Sequence, residues 1–245
     1  MKISIVVPAF NEEKLLGETL TQIKSAAGIL VKTGWNTELI VCDNNSTDRT
    51  AEIARAAGAK VVFEPVNQIA RARNTGAAAA SGDWLVFVDA DSHPGVELFT
   101  DMMEAVQSGN CLAGGATLRW DQQSFLGACV TSVWNIASRW RRLLTGAFVF
   151  IEAATFRKLG GFNLEAFTGE ELELSRRLKQ LARETGKRFV ILHRHPILTS
   201  ARRRSDLPVS RQLLLTCVLF YHVIFDPYHI TTNREAARRW YDGRR

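Results

Sequence analysis

An apolar run, Trp84-Leu85-Val86-Phe87-Val88, closes on two carboxylates, Asp89 and Asp91, with only Ala90 between them. A short, continuously apolar run bounded by polar residues has the form of a strand buried on both faces. Strands of that kind belong to parallel sheets covered by helices. The end of the run then places both acids at the carboxyl edge of a sheet, where open α/β folds bind their ligands. Oxygen-only donors at that edge suit Mg²⁺ or Mn²⁺ holding a diphosphate. A lone Asp-X-Asp is more often the start of a loop, so the rest of the chain must decide.

The first hundred residues carry the same rhythm repeatedly. Ile3-Ser4-Ile5-Val6-Val7, Glu38-Leu39-Ile40-Val41-Cys42 and Lys60-Val61-Val62-Phe63 read as strands. Residues 12–31, 47–57 and 69–80 carry helical periodicity between them, with Gly58 where a helix stop belongs. This alternation argues for parallel βαβ units with helices on both faces of the sheet. After Gly109 the rhythm changes. Residues 111–118 read as another strand, 121–144 as a long amphipathic helix, 147–151 as a further apolar run, 160–163 as a turn and 170–184 as a helix. No repeat or low-complexity linker divides the chain.

Composition narrows the class less sharply. Hydrophobic residues make up 46% and charged residues 23% of 245, as in a folded globular protein. A net charge of +6 suits an anionic small ligand or a membrane surface, and no nucleic-acid recognition motif accompanies it. Arginines cluster at 139/141/142, at 202–204 and in the tail at 238, 239, 244 and 245. Cys42, Cys111, Cys129 and Cys217 are widely spaced and read as small buried hydrophobes in a reducing compartment. The strand that opens the chain leaves no signal peptide to be read. Residues 213–225 form the longest apolar stretch; as a helix it would span about 20 Å, short of a bilayer core. It reads as a core helix, with an interfacial helix as the second reading.

Three strand ends carry polar groups that parallel neighbours would bring to one crevice. They are Pro8-Ala9-Phe10-Asn11-Glu12-Glu13, Asp43-Asn44-Asn45-Ser46-Thr47-Asp48 and Asp89-Ala90-Asp91. Asp43 is placed to accept a hydrogen bond from a pyrimidine N–H, and Ala9 leaves room for a base to lie flat. Against this, Asn11, Ser46 and Thr47 are equally good helix N-caps. Gly76, inside a predicted helix, implies close approach of a ligand or another backbone. Arg71 and Arg73 point to different faces of that helix; Arg73 reads as the solvated one.

Taken together these segments resemble the family 2 glycosyltransferases of the GT-A fold. PAFNEE (8–13), CDNNSTD (42–48), ARARNTGAAAASGDWLVFVDAD (70–91), LGGFNLEAFTGEELELSRRL (159–178) and TSARR (199–203) occur in the family's order and spacing. The resemblance implies one GT-A domain over residues 1–245, its mostly parallel central sheet covered by helices on both faces. Residues 1–110 would form its nucleotide-binding half, 111–205 its acceptor-side half and 206–245 a C-terminal helical extension. It implies a donor site of Pro8, Ala9, Phe10, Glu12, Asp43, Arg71, Asp89, Ala90, Asp91 and Arg202, with Asp91 and Asp89 serving Mn²⁺ or Mg²⁺. The donor would be a UDP- or GDP-sugar, and the acceptor a small-molecule or lipid-linked hydroxyl.

Gly169-Glu170-Glu171 matches the family's acidic motif at a helix start, where one carboxylate is the general base. An attacking hydroxyl must lose its proton, and a carboxylate in a partly apolar site can take it. The second position is commonly Asp in the family; Glu171 carries one methylene more, which shifts the carboxylate. The alternative is that Glu170, Glu171 and Glu173 only favour a helix N-terminus. His193 and His195 read as surface residues rather than a third metal ligand, and Trp120, Trp134 and Trp140 as core, sugar-stacking or interfacial residues. The chain lacks the QxxRW motif of processive synthases, which favours single-sugar transfer. A retaining enzyme on the same fold and a non-catalytic sugar-nucleotide binder or scaffold are the competing readings. A cytoplasmic protein with peripheral contact at the inner face of a membrane is expected.

Overall fold

The structure, a computed structural model, describes residues 1–122, 125–201, 228 and 232. Its first part alternates β1 (Lys2–Ala9), α1 (Leu16–Lys32), β2 (Asn36–Asp43), α2 (Thr50–Ala56), β3 (Lys60–Phe63), α3 (Ile69–Ala78) and β4 (Trp84–Val88). There follow β5 (Ser92–His93), α4 (Val96–Gln107), β6 (Cys111–Trp120), α5 (Phe125–Arg141), β7 (Phe148–Glu152), α6 (Ala153–Lys158), α7 (Glu170–Thr185) and β8 (Arg188–Thr199). The eight strands form one sheet in the order β3-β2-β1-β4-β7-β6-β8-β5. Strands β3, β2, β1 and β4 are mutually parallel, as are β6 and β8; β7 and the short β5 run antiparallel to their neighbours.

Burial on both faces explains why the central strands are so uniformly apolar. In β1 and β4, Ile3, Ile5, Val7, Trp84, Val86 and Val88 face a core shared with α1 and α4. Val6, Leu85 and Phe87 face the opposite core, with Ala70 of α3, Phe156 of α6 and Leu174 and Leu178 of α7. Each fully buried aliphatic side chain in these layers contributes about 1.5–3 kcal/mol. Helix α1 buries Leu16, Leu20, Ile23, Ala27 and Leu30, one stripe at helical spacing.

Two expected helix starts move. Helix α1 begins at Leu16 rather than residue 12, and α2 at Thr50 rather than 47. Asn11 and Ser46 do not cap their own helices. The Asn11 carboxamide oxygen accepts from Thr47 N (2.8 Å), and Ser46 Oγ accepts from Asn11 N (3.0 Å). Local capping loses to a cross-link between two loops; the N-cap position falls to Arg49, and Asp48, one residue before it, accepts from Thr50 N at 2.9 Å.

Gly76 does mark a close approach, but the neighbour is a side chain of the sheet. A methyl at Gly76 would lie 2.4 Å from Val6 Cγ1. Gly76→Ala is expected to cost about 1–3 kcal/mol through overpacking. That corresponds to roughly 2–12 °C in melting temperature for a chain of this size. A thermal melt with the midpoint unchanged would remove this account of α3's distance from the sheet.

Candidate active site

The carboxyl ends of β1, β2 and β4 converge as expected. Ala9 sits directly opposite Asp43 in the β1–β2 register. Asn44 N donates to Ala9 O (2.8 Å), and Ser46 N to Asp43 Oδ1 (3.1 Å). Asp43 and Glu12 are buried, and Phe10 is half-buried. The two loops are laced by Glu12 N to Thr50 Oγ1 (2.8 Å) and Glu13 N to Asp48 Oδ2 (3.1 Å). Burial works against ionisation of Asp48, but hydrogen bonds from Thr50 and Glu13 hold its carboxyl below the usual range. Asn11 and Asn45 adopt positive φ, 52° and 64°, which short polar side chains tolerate at such tight turns.

The Asp89-Ala90-Asp91 turn is held from four sides. Thr19 Oγ1 of α1 donates to Ala90 O at 2.8 Å, and Ser92 N to Asp89 O at 3.1 Å. Ser200 N donates to Asp91 O at 3.0 Å. Strand β5 pairs with the end of β8, Ser92 opposite Thr199, and their hydroxyls bond at 2.9 Å. Thr199-Ser200-Ala201 is thereby laid beside Asp91. Arg202, expected to reach the donor phosphates, lies outside the described residues, as does the expected helical extension at 206–245 apart from residues 228 and 232.

The fourth hold is Arg73, and here the expectation is reversed. Arg73 is not solvated but 1% exposed. It lies on the α3 face that also buries Ala70 and Gly76. Its Nη2 donates to Asp89 Oδ1 (2.9 Å) and Gly146 O (3.2 Å), and its Nη1 to Glu170 Oε1 (2.7 Å). Its guanidinium carbon stands 5.2 Å from the Phe162 ring centroid, within cation–π range. Arg71 is half-buried, its Nε donating to Gln68 Oε1 at 3.1 Å. The arginine that joins the acidic motifs is therefore Arg73. A charged residue on a stripe of alanine and glycine was the available signal: such a stripe packs closely, so its arginine must be buried and paired.

Glu170 and Glu171 open α7 after Gly169, whose φ of 82° needs glycine. Gln68 and Asn74, polar residues not singled out in the sequence, fix the approach to that helix. Gln68 Nε2 donates to Leu164 O (2.7 Å) and Ala166 O (2.9 Å), and Asn74 pairs with both backbone groups of Phe162. Glu170 is buried; burial raises its pKa while Arg73 works against that. Glu171 is partly accessible. Burial first, then the charge of Glu170, push its carboxyl up to about 8. A carboxylate titrating near neutrality is suited to taking a proton from a weak acid.

His195 lies away from these groups, its Nδ1 3.1 Å from Asp101 Oδ2 on the α4 side. Cys42 and Cys111 are buried as expected, but Cys129 is exposed, and Cys217 lies outside the described residues. Trp120 and Trp134 are half-buried, whereas Trp140 is 79% exposed. Among the described residues no helix is long and apolar enough to cross a membrane.

Residues 4–150 match the family model described as glycosyl transferase family 2. A dolichol-phosphate mannosyltransferase of Pyrococcus furiosus is 33% identical over 124 residues, covering 47% of this chain and 33% of its own length. The chain thus matches about a third of that relative. Two solved structures superpose more widely. One is a mannosyltransferase from Pyrobaculum calidifontis in complex with GDP-Man and Mn²⁺, with TM-score 0.67, 17% identity, 92% of this chain and 70% of that one. The other is a glucosyl-3-phosphoglycerate synthase from Mycobacterium tuberculosis with Mn²⁺, UDP and phosphoglyceric acid. It has TM-score 0.62, 20% identity and covers 94% of this chain and 79% of that one. At such identities the likeness establishes the fold, which is GT-A.

Proposed function

The chain belongs to glycosyl transferase family 2, and from that premise we propose that it transfers a sugar from a nucleoside-diphosphate donor to an acceptor hydroxyl with inversion. The observation that carries this reading is the Asp89–Arg73–Glu170 bridge. It joins an acid motif at a sheet edge to an acid motif 97 residues from Arg73, so donor-side and acceptor-side chemistry share one rigid centre.

Asp43 and Ala9 would receive the base, with Pro8, Phe10, Glu12 and Arg71 around the nucleoside. The carboxylates of Asp91 and Asp89 are hard oxygen donors at the mouth of the crevice, and they fit Mn²⁺ or Mg²⁺. Among the described residues no three acidic, His or Cys side chains close on one point. One or two carboxylates, completed by substrate phosphates, is the usual protein share of such a cation's shell. A bound cation would offset charge developing on the departing diphosphate. Arg73 fixes Asp89 through Oδ1. Glu171 takes the acceptor proton as the acceptor oxygen bonds to the anomeric carbon. The bond from that carbon to the diphosphate breaks on the opposite face, and the nucleoside diphosphate leaves with its electron pair. Arg202 is proposed to help hold that leaving group. The donor nucleotide is proposed to be UDP or GDP, the nucleotides named with the two superposed structures.

The test is a thermal-shift panel of UDP, GDP, CDP and their sugars, with and without Mn²⁺ or Mg²⁺. Ligand at a hundredfold its Kd adds about 2.7 kcal/mol, roughly 5–10 °C here. One nucleotide is expected to give a metal-dependent shift that Asp91→Asn abolishes. No shift with any nucleotide would overturn the reading in favour of a scaffold.

A further inference from the structure

Helix α5 presents an apolar stripe to solvent. Phe125 is 88%, Ile136 64% and Trp140 79% exposed, and Val133 and Cys129 are exposed between them. At 100° per residue, positions 125, 129, 133, 136 and 140 fall within an arc of about 80°. The stripe is not a helix awaiting its core, because the opposite face is already docked. Val130 and Thr131 are buried, and the Asn135 carboxamide bonds both Leu118 N (3.1 Å) and Leu118 O (2.9 Å) of β6.

Charge says what kind of surface the stripe meets. No acidic residue occurs between Asp121 and Glu152, whereas Arg139, Arg141 and Arg142 cluster at the end of α5. Arg142 takes a positive φ of 51° as the helix ends, and Leu143 N bonds back to Ser138 O at 2.9 Å. Arg139 and Arg142 are exposed, and the guanidinium of Arg141 stands 5.5 Å from the Trp140 ring. An apolar arc with aromatic residues, flanked by arginine and free of acids, matches a helix lying in an anionic lipid interface.

Both ends of α5 lead into the site. On its N-terminal side, Asp121 N donates to Thr199 O and Asp121 Oδ1 accepts from Ala201 N, beside Asp91. On its C-terminal side, Gly146 O accepts from Arg73. We infer that α5 docks the protein on an anionic bilayer, with the stripe from Phe125 to Trp140 immersed and Arg139, Arg141 and Arg142 on lipid phosphates. The acceptor hydroxyl is then carried by a molecule embedded in that bilayer. This last step rests on the sugar-transfer reading; the docking itself does not.

The experiment is co-sedimentation of the full chain with vesicles of phosphatidylcholine alone or mixed with phosphatidylglycerol. At about 1 kcal/mol per arginine, the three arginines give roughly a hundredfold preference for the anionic vesicles at low salt. Ile136→Asp/Trp140→Asp is expected to weaken that binding at least about tenfold, with the vesicle-free melting temperature unchanged. Wild-type protein that ignores anionic vesicles would overturn the proposal. Unchanged vesicle binding by the double variant would also overturn it, assigning the contact to another segment such as residues 213–225. A melting temperature several degrees lower, or a wild-type dimer that the variant loses in sedimentation velocity, would do the same by showing the stripe covered by protein. Donor-induced thermal shifts, measured on both proteins without vesicles, report separately on the sugar-transfer reading.

Discussion

Glu171→Gln lowers transfer by about 10²–10⁴-fold, the usual worth of a general base, while the donor-induced thermal shift stays near wild type. Gln is isosteric with the protonated acid but cannot accept the acceptor's proton. The pH profile supplies a second readout. With the Glu171 carboxyl at about 8, wild-type kcat/KM rises about tenfold per pH unit below that value and levels above it. A flat profile between pH 6 and 9 would remove Glu171 as the base. The prediction also discriminates acceptors. An acceptor phosphate is already ionised and needs no base, so wild-type rates in the variant would point to phosphate rather than hydroxyl attack.

The same shift has a consequence for stability, with a definite sign. The folded state binds the Glu171 proton more tightly than the unfolded chain, whose carboxyl titrates near 4.5. Stability conferred by that proton is complete below about 4.5 and is lost as pH rises through about 8. Glu171→Gln carries no such loss. The variant is therefore expected to melt close to wild type at pH 5 and above it at pH 9. On the proposed role of Glu171 as base, a carboxylate that weakens its own fold at alkaline pH is the usual exchange of stability for activity.

The sheet was legible in the sequence because burial on both faces leaves a strong signature. The runs ending at Val7, Cys42, Phe63 and Val88 could hardly be other than strands, and all four are. Strand β5 was not legible, since two residues carry no pattern and only pairing with Leu198 and Thr199 defines it. No helix is expected from the sequence where α4 lies, although Leu98, Phe99, Met102 and Val106 mark its buried stripe. Helices α1 and α2 start later than the sequence predicts because Asn11 and Ser46 satisfy one another's loops, and no local rule anticipates a partner 35 residues away. In the site, carboxylates announced themselves through their motifs. Arg73 did not, because a lone arginine is usually solvated, and its burial depends on two acids supplied by β4 and α7.

Arg73 therefore carries the other large expected effect. Arg73→Met strands Asp89 and Glu170 without their counter-charge, and breaking a buried ion pair from one side costs about 3–5 kcal/mol. The loss grows with pH, since buried Glu170, whose pKa burial already raises and which Arg73 no longer opposes, takes up a proton more readily at low pH. Arg73→Lys keeps the charge, but an ammonium cannot reproduce the fork that spans Asp89 Oδ1, Gly146 O and Glu170 Oε1. Its stability loss is smaller, and its donor KM rises because Asp89 is no longer fixed. Removing both charges separates structure from function. Arg73→Met/Glu170→Met is expected to recover about 1–4 kcal/mol relative to Arg73→Met, as apolar replacement of buried pairs does. Transfer is not recovered, because Asp89 remains unheld once its Arg73 partner is gone. Denaturant titrations of the three variants at pH 5 and pH 9, with donor KM for each, test the argument. If the double variant matched wild-type kcat/KM, Arg73 would be a packing element of α3 and not the link between the two acid motifs.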